Sequence, residues 1–414
     1  MNRGQGHISS KIRFGVGALI SIIALTVYVL TLAPTVTFID SGELTAVCAT
    51  LGVAHPTGYP IYTLLGRLFT SLPFGSNKVF LLNLMSALFA SLSLFVMYHL
   101  LFYLQNSRNG MLQKGSQKGE AVPFILLTSV AGALLLGFSK TFWSQALVAE
   151  VYTLNALFVS GAMLFLLKAT GDPTSPQHER NSTRLYALFA FLFGLGMANH
   201  MTIVVLVPAC LYLLIAREGI RGLLAKGLKI LLPFFLLGIS CYLYLPVRSA
   251  VQPALDWGNP ETVVNLFRHL SGKQYQVWMF TSFEVAAKQL STFVHILPQQ
   301  FSPFLILLAL LGLWWLYRRN KRTLYFTSLV FGFDLLYSIN YDIHDIDAYF
   351  LPSFIVVALW IGLGLVQTCE FLKSGSRTYQ YAVAGLVLVS PLLPLRMHHA
   401  DVDHSREYFV HDYC

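Results

Sequence analysis

Charge is what this chain has least of. Asp, Glu, Lys and Arg make up 11% of its 414 residues, where a soluble domain carries about 25%. The polar surface of a water-soluble fold of this size cannot be built from so few ionic groups. Cysteine is nearly as sparse: the five residues Cys48, Cys210, Cys241, Cys369 and Cys414 show no CxxC spacing, which excludes a disulfide scaffold. No GxxxxGK[ST] loop, HExxH or GxSxG run occurs, so ATP-driven transport, zinc proteolysis and serine-hydrolase chemistry lack their signatures.

Apolar residues instead reach 55% and aromatic ones 14%, including 31 Phe and 20 Tyr. A membrane-crossing helix needs about 20 apolar residues. The apolar runs predict about eleven spans, at 14–33, 79–104, 121–139, 151–168, 185–199, 201–216, 228–246, 301–317, 323–340, 349–369 and 379–395. The expected fold is an all-α integral membrane bundle. It occupies 1–396 as one polytopic unit, with a short outer-face tail over 397–414. With the N-terminus on the inner side, the inner segments hold 19 of the 28 Lys and Arg and five of the 19 acids. Thirteen acids lie outside, and Asp334 falls within a span. This is the positive-inside bias, and it accounts for the net charge of +9 through insertion and contact with anionic lipid. Nucleic acid is not required as a partner.

The inner connectors at 105–120 and 169–184 are Gly/Ser/Pro-rich and polar, the composition of linkers. Two outer loops, 34–78 and 247–300, are long, aromatic and punctuated by Pro and Gly. Loops of that length in a compact protein are usually functional, and both are expected to carry amphipathic helices.

Chemistry-bearing residues gather on that outer side. In TFIDSGELTAVCATLGVAHPTGYP, Asp40 and Glu43 share a face if Ser41 onward is helical. They suit a general base or a metal ligand, or equally a helix cap and its capping partner. Glu150 in FWSQALVAEVYTLNALF stands at the mouth of an apolar helix, with Tyr152 and Asn155 following. A carboxylate at membrane depth costs roughly 2.5–3.5 kcal/mol and is usually functional or paired; the alternative is a polar packing cluster. His200, ending GLGMANH, is more often a structural hydrogen-bonder than a ligand. Arg248 in YLYLPVRS fits a phosphate clamp or headgroup snorkelling. Asp256, Trp257, Tyr275 and Trp278 line a groove or rest on the bilayer. Asp342, His344, Asp345 and Asp347 crowd one short loop; Asp342 and Asp345 are weak candidates for a divalent cation, against a solvated acidic loop.

Taken in order, DSGEL…LGVAHPTGYPIYTLLGRLF, FWSQALVAEVYTLNALF, GLGMANH, YLYLPVRS…LDWGNP and YDIHDIDAYFLPS resemble a family of multi-pass proteins. That family includes the eukaryotic transmembrane O-mannosyltransferase acting on plexin-type receptors. The resemblance runs from about 14 to 370 and implies a GT-C architecture. It also implies transfer of a sugar, such as mannose, from a polyprenyl-phosphate carrier to a protein or glycan acceptor on the outer face. Asp40 then becomes the base and Glu43 its assistant. His55 and Tyr59 shape the pocket, Glu150 lines it opposite, and Arg248 holds the lipid phosphate. Many relatives carry a further soluble domain; with none before Cys414, a bacterial inner membrane is expected. The competing classes are a proton-coupled transporter or flippase, for which the acids are gathered at one face rather than along a path, and a non-catalytic envelope-assembly protein.

Overall fold

The structure, a computed structural model, describes residues 9–73, 77–106, 118–171, 176–372 and 376–413. It is helical throughout, and among the described residues β-pairing is confined to two isolated bridges, Val53 with Asp256 and Met279 with Tyr341.

Helix α1 (Ser10–Leu30) opens on Ser9, whose hydroxyl accepts from Ile12 N–H, a normal N-cap. The first outer loop folds into α2 (Ser41–Thr50) and α3 (Pro60–Thr70). The chain then crosses in α4 (Lys78–Asn106), α5 (Lys118–Gly137), the short α6 (Lys140–Ala146), α7 (Tyr152–Ala169) and α8 (Pro176–Met197). A 3₁₀ turn at Met201–Leu206 leads into α9 (Val207–Lys226). Next come α10 (Leu232–Ile239) and α11 (Tyr244–Ser249). The second outer loop holds α12 (Val263–Leu270) and most of α13 (Phe283–Phe301). The chain closes with α14 (Pro303–Arg319), α15 (Lys321–Ile339), α16 (Leu351–Leu372), α17 (Arg377–Val389) and α18 (Leu392–Val402).

Each of the eleven expected spans falls on helix. Among the described residues, however, six helical stretches are by themselves long and apolar enough to cross a bilayer, or eight if two bent pairs each count as one span. The difference has local causes. Residues 201–249 form one continuous helical stretch that breaks at Gly219, with φ 66° and ψ 172°, so two expected spans share it. Ser302, at φ 72°, bends α13 away from α14 by 97°. The expected tail boundary at 396 lies inside α18, and the segment beyond it packs back on the bundle: His404 N–H donates to Thr31 O, and Phe409 lies against Phe38.

The core runs along α4, α7 and α16, which are largely buried. Glycine permits the closest helix approach: a Cβ on Gly312 would stand 1.8 Å from Trp360 O, and one on Gly364 1.9 Å from Leu308 O. Small residues at such crossings are how membrane helices gain packing where lipid is as apolar as leucine.

Candidate active site

Backbone geometry in the first outer loop aims its carboxylates. Asn83 of α4 holds the loop's start by donating from Nδ2 to Ala33 O at 2.8 Å. Asp40 occupies the N-cap position of α2, yet its side chain makes no cap bond. Glu43 does not reach back to complete a capping pair either; it turns to the next segment. The helix ends on Leu51 in the left-handed region, and Gly52 follows so closely under Leu255 that a Cβ would meet its carbonyl at 2.8 Å. HPTGYP then turns sharply, with Gly58 at φ 88° and Tyr59 at φ 44°, before Pro60 opens α3.

That turn presents His55 to both acids. Its backbone N–H donates to Glu43 Oε1 at 2.7 Å, and its Nδ1 lies 3.0 Å from Glu43 Oε2. Since a carboxylate only accepts, Nδ1 carries the proton. Nε2 is then the acceptor for the Tyr59 hydroxyl at 2.8 Å, with Asp40 Oδ2 3.7 Å away. Burial lowers the His55 pKa, but the hydrogen bond to Glu43 and the charges of Asp40 and Glu43 outweigh it and leave it raised. For Glu43, burial is outweighed by the same partner, and its pKa falls. Asp40 goes the other way: burial raises it, Glu43 and Asp345 add to the rise, and His55 offsets only part. A carboxylate with a raised pKa is the better proton acceptor near neutrality.

These groups border a cavity of about 450 Å³. Glu150, 6% exposed, stands in its wall with a pKa pushed well up by burial and by the charges of Asp40 and Asp345. Tyr152 and His200 line it too, His200 stacking on Tyr59 at 5.9 Å. Burial drives the His200 pKa down to about 3, so the ring is neutral and accepts or donates through Thr202 Oγ1 at 2.7 Å. The second outer loop closes the mouth with Tyr275 and Trp278, and the late acidic loop adds Tyr341, Asp345 and Tyr349.

Nine of the residues singled out by sequence therefore meet at one cavity: Asp40, His55, Tyr59, Glu150, Tyr152, His200, Tyr275, Trp278 and Asp345. Glu43 joins through His55. Three stand apart. Asn155 is buried and donates to Thr202 Oγ1 at 3.0 Å, behind the wall. Arg248 donates from Nε to Leu51 O at 2.7 Å and is absent from the lining. Asp342 pairs with Lys288 at 3.2 Å. Sequence reasoning passed over Tyr337, Tyr341 and Tyr349; with Tyr59, Tyr152 and Tyr275 they give the described lining six tyrosines and no Lys or Arg. The signal was the density of aromatics around YDIHDIDAYF.

Among the described residues the group with metal-ligand spacing is Asp40, Glu43 and His55, whose ligand atoms lie within 4.8 Å of one another, rather than Asp342 with Asp345. Both nitrogens of His55 are already engaged, by Glu43 and Tyr59, so an ion here has to displace one of them.

Residues 40–221 match the family described as Protein O-mannosyl-transferase TMEM260 N-terminal domain. The chain is 29% identical over 378 residues to Protein O-mannosyl-transferase TMEM260 of Mus musculus, covering 86% of this chain and 50% of that protein. It is 24% identical over 377 residues to the Dictyostelium discoideum protein of that name, covering 84% and 44%. The chain thus spans about half the length of the curated relatives it matches. Among solved structures it superposes on ArnT from Cupriavidus metallidurans. The form bound to undecaprenyl phosphate gives a TM-score of 0.57 at 14% identity, covering 94% of this chain and 72% of that one. The apo form gives 0.60 at 13%, covering 95% and 75%. These likenesses show a shared fold, a helical bundle whose long apolar helices are those of a multi-pass integral membrane protein.

Proposed function

We propose that this chain, which resembles the O-mannosyl-transferase family in sequence and ArnT in fold, is a membrane glycosyltransferase. It moves a sugar, mannose by analogy with the named relatives, from a polyprenyl-phosphate carrier to a hydroxyl of a protein or glycan. The positive-inside bias supports a cytoplasmic N-terminus with the cavity on the opposite face.

The observation that carries this reading is one carboxylate, Asp40, opening on a cavity of about 450 Å³ beside the Glu43–His55–Tyr59 chain. Asp40 takes the acceptor's proton as its oxygen attacks the anomeric carbon; the bond to the lipid phosphate breaks as the new glycosidic bond forms. Glu43 and Tyr59 fix the His55 ring beside Asp40. Glu150, whose pKa is pushed up by burial and by the charges of Asp40 and Asp345, has a hydrogen to donate when protonated. It and the tyrosine hydroxyls stabilise the departing phosphate, a task for which preorganised donors suffice. Arg248 supports the end of α2 rather than clamping that phosphate. With both His55 nitrogens engaged, no divalent ion is needed, and EDTA is expected to change turnover less than twofold.

A carrier is disfavoured by the acid that falls within the expected spans: Asp334 Oδ2 accepts from Ser353 N–H at 2.9 Å and from its hydroxyl at 2.6 Å, a structural tie between α15 and α16. The test compares wild type with Asp40→Asn in detergent, reading polyprenyl phosphate released from a panel of polyprenyl-phosphate sugars. A loss of about 10²–10⁴-fold with donor binding intact supports the transferase; equal turnover in the two removes Asp40 as base.

A further inference from the structure

At the end of the bundle remote from the cavity, two buried polar atoms find no hydrogen-bond partner among the described residues. Arg13, near the start of α1, lies over the Phe102 ring at 5.4 Å. Lys168, in the last turn of α7, lies over the adjacent ring of α4, Tyr103, at 5.9 Å. Arg13 is within electrostatic range of Lys168, of His99 and of the Tyr98 hydroxyl. The Nε of Arg13 is buried with no hydrogen-bond partner, and so is the hydroxyl of Tyr98, a residue with no exposed surface. Among the described residues no carboxylate pairs with Arg13 or Lys168. Of the acids on this side whose side chains are described, Glu218 is paired with Lys226 at 2.7 Å and Glu370 with Arg319 at 2.8 Å.

Two cations side by side at the edge of a low-dielectric bundle repel each other, and orphaned donors there cost free energy. Simple snorkelling would send each head separately to water. Instead they converge from two helices onto consecutive residues of a third, with the unpartnered Arg13 Nε and Tyr98 hydroxyl between α1 and α4. A group that brings negative charge and several acceptor oxygens satisfies the whole set, and a phosphate does so most economically.

We propose that Arg13, Lys168 and Tyr98 form a phosphate-binding site at the membrane surface opposite the catalytic cavity, filled by the headgroup of an anionic phospholipid of that leaflet. Such a lipid pins α1, α4 and α7 together. Those are the helices whose other ends deliver the first outer loop, Asn83 and Tyr152 to the cavity. The proposal does not depend on the transfer reaction.

The test is thermal unfolding of the full chain in detergent, with additions of phosphatidylglycerol, an anionic lipid without phosphate (oleate), phosphatidylcholine or inorganic phosphate. Phosphatidylglycerol is expected to raise the midpoint by several degrees more than phosphatidylcholine or oleate. Arg13→Gln/Lys168→Gln should abolish that difference. If the double variant does not fold, Tyr98→Phe keeps the ring and is expected to reduce the shift. An equal shift from inorganic phosphate identifies a free anion as the occupant and overturns the lipid assignment. An equal response to oleate, or a full response retained in both the double variant and Tyr98→Phe, overturns the site.

Discussion

At the scale of single residues, the first loop separates two carboxylates three positions apart into different tasks. Glu43 is held low by His55, while Asp40 is held high by burial and neighbouring acids. A base works only when deprotonated, so turnover should fall as pH drops through an Asp40 pKa above its usual 3.8. Asp345→Asn removes one of the charges that raise it, and the acid limb of the rate–pH profile should move to lower pH; an unmoved limb would dissociate Asp345 from the base. Stability has its own window. The lowered Glu43 contributes stability above its unfolded value near 4.5, lost as pH falls through the folded one. The raised His55 contributes fully below its unfolded value near 6.5, and that contribution is lost as pH rises through the folded one. The pair is therefore strongest in mildly acidic solution, and His55→Ala should flatten the dependence of melting temperature on pH there.

At the scale of elements, two glycine positions decide whether the site is assembled. Gly58 has φ 88°, and a Cβ there would meet His269 Nε2 at 2.9 Å and Leu245 at 2.8 Å. Gly58→Ala should cost about 1–3 kcal/mol and lower turnover by moving His55, read as a paired drop in melting temperature and rate. Gly312→Ala should cost a similar ~1–3 kcal/mol by overpacking where α14 crosses α16, with donor binding retained in the folded fraction. These elements differ in how far the sequence disclosed them. Apolar length located the helices, and DSGEL with HPTGYP located the carboxylates and the turn. Spacing alone left Asp40 open as a cap, because choosing between a cap and a base requires knowing that His55, twelve residues beyond Glu43, folds back on it. Arg248 shows the same limit: its charge and position were visible, its bond to Leu51 O was not. The tyrosines of α15 and the late loop join the cavity only through tertiary packing, which has no period along the chain.

At the scale of the whole molecule, the bundle is polarised twice, in charge and in chemistry. Nineteen Lys and Arg fall on one side of the expected topology with five acids, while Asp40, Glu150 and Asp345 gather on the other. The two asymmetries have separate origins, insertion for the first and, on the proposed function, the reaction for the second, so together they predict which face the cavity opens on. It can be measured without knowing the substrate. Ser71, exposed on the cavity side after α3, and Asn181, exposed near the opposite end of α8, each accept a single cysteine in a background carrying Cys241→Ser and Cys414→Ser. In intact cells an impermeant maleimide should label Ser71→Cys within minutes and spare Asn181→Cys until the membrane is permeabilised. The reverse pattern would put the cavity in the cytoplasm, where a carrier-bound sugar would have to be used before it is flipped. Equal labelling of both would mean that at least one of the helices between them fails to cross, and the three crossings that α4, α5 with α6, and α7 supply would have to be recounted.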